Sequence, residues 1–426
     1  MPDFAQALRF WFWLGCVSFG GPAGQIALMQ QELVERRRWI DGTRFLHGLN
    51  FAMLLPGPEA QQLATYIGWR LHGTLGGLAA GGLFILPGAL VLLALSWLAA
   101  EHGDLAWVGA LFDGVKPVVI AIIAASVWRL GRRTLRGIAA LLLALAAFLA
   151  LYLGHLPFPI LIALAALLGY LAARMGRDWF THPAHAPGHP DDGEGHLPDD
   201  RPPSRGSRRL VRLALLFAVL LLVPVLGVVL LLGRTPWADI ADLFTTAAFV
   251  TFGGAYAVLP YIAERAVEHY HWLTAADMLN GLALAESTPG PLILVTQYVG
   301  FFAGWNHSGG LSPGMAGMIA AGLTTYVTFL PCFFFIFAGA PYIEALIRNR
   351  AAAGALAAIT AAVVGVILNL GVVMGEQVLL PGGQPDPVAL IVACLALFAL
   401  LRLQVAVHWL VLAGAGFGLV RMLLVA

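Results

Sequence analysis

Leu54-Leu55-Pro56-Gly57-Pro58-Glu59 interrupts an apolar run over residues 43–72, and Ser287-Thr288-Pro289-Gly290-Pro291 interrupts a second over 275–304. Proline lacks an amide hydrogen and clashes with the preceding turn, and glycine adds backbone freedom. Each run therefore reads as two helical pieces, neither reaching the roughly 20 residues that cross a bilayer. Phe19-Gly20-Gly21-Pro22 breaks residues 5–35 in the same way, and Phe252-Gly253-Gly254 breaks residues 239–268.

Working outward, the breaks form a repeat. Phe19-Gly20-Gly21 falls on Phe252-Gly253-Gly254 at an offset of 233, and Pro56-Gly57-Pro58 falls on Pro289-Gly290-Pro291 at the same offset. Glu35, Trp39 and Gly48 fall on Glu268, Trp272 and Gly281. Tyr66 and Gly68 match Tyr298 and Gly300 after a one-residue deletion, and Leu86-Pro87 matches Leu330-Pro331 after an insertion. Several matches in one order indicate duplication.

The chain of 426 residues is 60% hydrophobic and 11% charged, against about 25% charged in soluble domains. So few charges cannot cover a soluble surface, so lipid is the solvent for most of it. Nine further stretches read as spanning helices: 74–99, 107–130, 137–153, 157–174, 211–233, 313–340, 351–373, 386–402 and 404–424. The net charge of +1 gives no reason to expect a nucleic-acid partner. Cys16, Cys332 and Cys394 lie far apart in apolar segments and read as small hydrophobes. The N-terminus lacks a signal-peptide layout, so insertion is expected to rest on the membrane segments.

The division expected is an N-terminal repeat over 1–175, a disordered cytoplasmic linker over 176–210, a connecting transmembrane helix over 211–236, and a C-terminal repeat over 237–426. The linker is rich in Pro, Gly, Asp, His and Arg, a composition that cannot bury a core. Its His182, His185, His189 and His196 read as solvated rather than as a metal site.

Arginine placement gives the orientation, because cytoplasmic loops are rich in Lys and Arg. Arg36, Arg37, Arg38 and Arg44 mark one loop and Arg132, Arg133 and Arg136 another; Arg348 and Arg350 mark a third, and arginines flank the linker. The loop equivalent to 36–44 in the second half carries Glu264, Arg265, Glu268, His269 and Asp277, without the basic cluster. These charges agree only if the broken segments are re-entrant hairpins. The fold expected is an all-α polytopic membrane protein of two inverted-topology repeats. Each has two broken hairpins and about four transmembrane helices, and residues 211–233 supply the extra crossing that inverts the second, a build common among secondary transporters.

At these motifs the chain resembles the chromate ion transporter family in its long two-domain form. The resemblance rests on Phe19-Gly20-Gly21-Pro22, on Leu55-Pro56-Gly57-Pro58 with residues 61–68 (QQLATYIG), on Phe252-Gly253-Gly254, on Ala285-Glu286-Ser287-Thr288-Pro289-Gly290-Pro291 and on residues 364–370 (VGVILNL). It implies an inner-membrane secondary transporter that exports chromate, with sulfate as the related oxyanion.

The residues agree with an anion site. A helix N-terminus offers free N–H groups and the positive end of a dipole. Pro22, Pro58 and Pro291 are expected at the first positions of second half-helices, and Gly20, Gly21, Gly57, Gly253, Gly254 and Gly290 let a backbone approach a ligand. These residues, with Ser287 and Thr288, are the candidate substrate site. The alternative is that the glycines serve close helix packing. Lys116, the chain's one lysine, offers either a point charge to the anion or a salt bridge to Asp113. Glu59 and Glu286 flank the breaks and are candidates for proton coupling; a counter-anion is the other coupling partner considered. Gln25, Asn50, Gln61, Gln62, Asn280, Gln297 and Asn369 read mainly as helix–helix hydrogen-bonding residues.

An anion channel, or a transporter of a different oxyanion, is the competing reading. No His-Glu-x-x-His motif occurs, so an enzyme is not expected, and neither cofactor nor metal is. A homodimer is compatible with this arrangement.

Overall fold

The computed structural model describes residues 2–19, 21–103, 105–154, 156–177, 179–180, 206–343 and 349–425. The expected linker falls mainly outside these residues, as do Gly20 and Arg348. Every regular element among the described residues is helical, and the chain is an all-α, multi-pass membrane protein.

In the first half, α1 (Phe4–Val17), α2 (Gly21–Gln30) and α3 (Gly42–Leu54) precede the long α4 (Glu59–His102). Then come α5 (Ala106–Thr134), α6 (Ile138–Tyr152) and α7 (Phe158–Arg174). A connecting α8 (Gly206–Leu232) leads to α9 (Trp237–Val250), α10 (Ala255–Ala263), α11 (Ala275–Ser287), α12 (Val295–Asn306) and α13 (Pro313–Gly339). The chain closes with α14 (Arg350–Leu379), α15 (Pro387–Phe398) and α16 (Val407–Val425).

The long α4 is two limbs in one, because His72 and Gly73 leave helical geometry (Gly73 φ 64°). The first limb doubles back: Gly68 packs against Gly76 and Ala80, and Gly77 against the carbonyl of Thr65. It also pairs with α3, since Gly48 faces the ring of Tyr66. A continuous crossing would hold Gly48 and Tyr66 on opposite sides of the break, so residues 42–71 form a hairpin that returns to its entry side. Residues 275–306 do the same, with Gly281 facing Tyr298. In the first broken segment Phe10 lies under the Arg37 guanidinium, 4.8 Å from the ring centroid, and against Trp39, so this segment also returns.

The offset of 233 recurs in backbone geometry. Single π-helical turns cover Gln31–Arg36 and Glu264–His269. Left-handed residues follow at Arg38 (φ 53°) and His271 (φ 52°). Asp41 then caps α3 by accepting from the Arg44 amide, and Thr274 caps α11 by accepting from the Asp277 amide. Short polar caps at these places stop the chain from running on as one helix.

The second limb of α4 and α13 run antiparallel: Gly77 lies against Phe337 at one end, and Trp97 against Gly314 at the other. Around them the halves interlock. The Gly114 face of α5 packs on Gly414 and Gly418 of α16, and Gly169 of α7 packs on Gly354 and Ala358 of α14. Gly365 of α14 lies against Ala144 and Phe148 of α6. Lipid tails are as apolar as leucine, so such contacts hold by close packing rather than by the hydrophobic effect, and small residues permit it.

Six helices are long and apolar enough to span a membrane: residues 59–102, 106–134, 208–232, 313–342, 350–379 and 407–424. Three stretches read as full spans fall short: α6 has 15 residues and α7 has 17, and α15 with its π turn ends at Leu403. Local backbone sets these limits, with Pro157 before α7, Pro387 at the start of α15 and left-handed Gln404 after it. Their lipid-facing residues remain apolar, as at Leu141, Leu142 and Leu145.

Candidate oxyanion site at the hairpin tips

The four breaks meet in two pairs, each joining one half to the other. The Gly57 amide donates to the Thr251 carbonyl at 2.7 Å, and the Gly290 amide donates to the Ser18 carbonyl at 2.9 Å. Applying the offset of 233 to Ser18 and Gly57 gives Thr251 and Gly290, so the second bond is the first with the halves exchanged. An unpaired backbone group in hydrocarbon costs several kcal/mol, and these bonds remove that cost at two breaks. Each proline-flanked tip also lies against the other half's long helix, Gly57 facing Cys332 of α13 and Gly88 of α4 facing Pro289.

The two tip types differ in their surroundings. Pro56-Gly57-Pro58 and Pro289-Gly290-Pro291 are fully buried. A Cβ on Gly57 would lie 2.8 Å from Cys332 Sγ and 2.9 Å from Gln62 Nε2; one on Gly290 would lie 3.2 Å from Leu294. Gly21 and Gly254 have positive φ, 71° and 96°, yet a Cβ on either meets nothing within 4 Å. A Cβ-sized space is therefore open at Gly21 and Gly254, whereas Gly57 and Gly290 are closely packed.

At the second glycine-pair tip, Gly253 lies beside Val363 and Thr360 of α14. Among the described residues the amides of Gly253, Gly254, Ala255 and Tyr256 make no backbone hydrogen bond. They are the N–H groups that lead into and open α10. In the first half, Pro22 is the second residue of α2. Pro58 and Pro291 sit one residue before their helices, in extended conformation (ψ 108° and 134°), where a fixed φ suits the N-cap as well as the first turn.

Buried polar side chains surround the pairs. Gln25 Nε2 donates to both Ser18 O (3.2 Å) and Gly290 O (2.6 Å), tying the Gly290–Ser18 pair together. Gln62 Nε2 donates to Pro56 O at 2.7 Å. The Ser18 and Thr328 hydroxyls and the Gln25, Gln61 and Gln62 carbonyl oxygens are buried without a partner. The Ser287 and Thr288 hydroxyls turn back to Leu284 O and Ala285 O, so both donors are used within α11. Gln297 bridges Ala89 O and the Thr325 hydroxyl, the helix-tying role its sequence suggests.

Glu286 is 6% exposed and accepts a hydrogen bond from the Tyr256 hydroxyl. Ser126 and Arg129 of α5 stand near this pair, their own side chains bonding the Ile122 and Leu400 carbonyls. Tyr256, Ser126 and Arg129 escape a search built on the repeat, since the first half carries Ala23 and Met53 where Tyr256 and Glu286 stand. The available signal is an arginine within the apolar sequence of a spanning helix. Glu59 opens α4 at the other pair, within range of the Arg133 charge. Lys116 pairs with Asp113 at 2.7 Å. It stands ten residues before Ser126 on α5, about 15 Å along the helix. Among the described residues no three of His, Cys, Asp and Glu converge as metal ligands would.

A family model described as chromate transporter matches residues 5–170 and 238–419. The chromate transport protein of Pseudomonas aeruginosa is 32% identical over 398 residues, covering 88% of this chain and 82% of the relative. That of Cupriavidus metallidurans is 28% identical over 372 residues, covering 87% and 82%. The uncharacterized transporter YwrB of Bacillus subtilis is 33% identical over 123 residues, covering 29% of this chain and 62% of the relative. No solved structure matches.

Proposed function

This chain belongs to the chromate transporter family, and we propose that it is a secondary transporter that exports chromate across the inner membrane, with sulfate as a related substrate. Members of this family are transporters rather than enzymes. The oxyanion sits at the open glycine-pair tips, held by the amides at the start of α10 and, in the exchanged arrangement, of α2. Helix N-termini attract anions without a fixed charge that would trap them.

The observation that carries this reading is the exchanged pair of hydrogen bonds, Gly57 to Thr251 and Gly290 to Ser18. It couples the breaks of one half to those of the other, as two inverted repeats around a shared site require. The cytoplasmic end is then the one carrying the N-terminus and Arg36, Arg37 and Arg38. Glu286, latched to Tyr256, is the candidate proton carrier.

Everted vesicles loaded by this protein test the reading. Labelled chromate should accumulate, compete with sulfate and respond to a proton gradient. Trans-side substrate should accelerate exchange; flux insensitive to it indicates a channel and overturns the transporter reading.

A further inference from the structure

A second polar site lies at one end of the bundle, away from the tips. Arg208, Arg209, Arg212, Leu213 and Leu216 of α8, Thr74 at the turn of α4, and Phe337 of α13 line a cavity of about 540 Å³. Among the described residues Arg208 and Arg212 have no acidic partner. They stand one turn apart on one face, a spacing at which like charges weaken a helix. Arg209 is anchored, donating to the Phe337 carbonyl at 3.3 Å.

The helix that bears them is peripheral. None of the apolar window of α8 is buried within the protein, so hydrocarbon covers it. Its ties to the bundle include the Phe217–Phe334 stack and the Tyr326 hydroxyl on the Leu220 carbonyl. The cavity is thus lined by both cationic and apolar side chains, at the level where a helix leaves the membrane. Guanidinium groups match phosphate oxygens in bidentate geometry, and basic pockets between transmembrane helices suit anionic headgroups.

We infer that this cavity binds an anionic phospholipid, its phosphate between Arg208, Arg209 and Arg212 and its acyl chain along Leu213 and Leu216. The lipid fastens α8 to α4 and α13. A free phosphate satisfies the arginines alone and leaves the apolar lining unused. The inference stands apart from the transport reading.

The test uses the full chain in detergent, stripped of lipid, with binding read by native mass spectrometry and by thermal shift. Wild type should retain and be stabilised by phosphatidylglycerol over phosphatidylcholine. The Arg208→Gln, Arg212→Gln double variant should bind it roughly 25-fold more weakly, the loss expected for two basic groups at a membrane surface. Arg208→Lys with Arg212→Lys keeps both charges and should keep most of the binding, which guards against a folding defect. Arg174→Gln, elsewhere on the arginine-bearing surface, should bind as wild type does. Equal stabilisation by phosphatidylcholine, or by inorganic phosphate alone, overturns the inference, as does unchanged lipid affinity in the double Gln variant.

Discussion

The Gly57 amide and the Thr251 carbonyl, 194 positions apart in sequence, lie 2.7 Å apart and hydrogen-bond across the two halves. Gly290 and Ser18 repeat the bond with the roles exchanged. Neither residue of a pair can be displaced without exposing a backbone group in a dry interior.

Gly57→Ala should therefore cost stability before it costs recognition. Its φ of +123° is strained for an L residue, and the new methyl lies 2.8 Å from Cys332 Sγ. Together these should remove about 2–4 kcal/mol, read as a lower thermal midpoint and a smaller inserted yield. Adding Cys332→Ala should restore only the Cys332 share of the steric cost, since Gln62 Nε2 lies 2.9 Å from the same methyl.

Gly254→Ala isolates the site from the scaffold. Its Cβ meets nothing within 4 Å, while φ 96° with ψ 170° is a region essentially confined to glycine, leaving a backbone strain of about 1–3 kcal/mol. The variant should still insert and melt only modestly below wild type while chromate uptake into vesicles falls at least about tenfold, the equivalent of about 1.4 kcal/mol. Uptake at the wild-type rate would place the anion elsewhere.

Tyr256→Phe strips the Glu286 carboxyl of its hydroxyl partner, and a buried acceptor left unpaired costs about 1–3 kcal/mol. Glu286→Gln keeps the shape and removes the titratable proton. Transport by this variant should persist down a chromate gradient and lose its response to an imposed pH gradient. A response equal to wild type would assign coupling to another group, with Glu59 the next candidate.

The breaks and the offset are legible in sequence because they are local. Clustered proline and glycine break a helix locally, so Pro56-Gly57-Pro58 and Phe252-Gly253-Gly254 announce themselves without tertiary context, whereas single prolines such as Pro87 and Pro117 stay inside α4 and α5. What the breaks touch is not local. The Tyr256–Glu286 pair joins residues 30 apart, and the repeat conceals it, since its first-half counterparts are Ala23 and Met53. Gly57 and Gly254 look alike as letters, yet one is wedged against Cys332 and the other faces open space. Lys116 stands out by rarity, whereas the structure pairs it with Asp113.

Cysteine labelling tests the sidedness. Residues 37 and 268 lie in the corresponding turns of the two halves, two positions apart in the repeat, and each can be replaced by a single cysteine. They should react with impermeant reagents from opposite faces of the membrane. Reaction from the same face would refute the inverted arrangement.

Severing the chain between residues 181 and 205 should yield two fragments that co-purify. α16 completes the packing of α5, and α7 completes that of α14, at Gly114 with Gly414 and at Gly169 with Gly354. Co-expressed fragments should recover chromate uptake, and either one alone should aggregate.

The same crossed packing bears on how such a molecule could move. Two halves that each hold the other's closing helices cannot rock as separate rigid bodies without tearing glycine-lined seams several turns long. The outer helices thus form one frame, and on the transporter reading proposed above the movement falls to the short hairpins inside it. Their tips meet through two backbone bonds, the Gln25 bridge and the Tyr256–Glu286 contact, so any such motion must part these few polar links while the glycine seams stay closed.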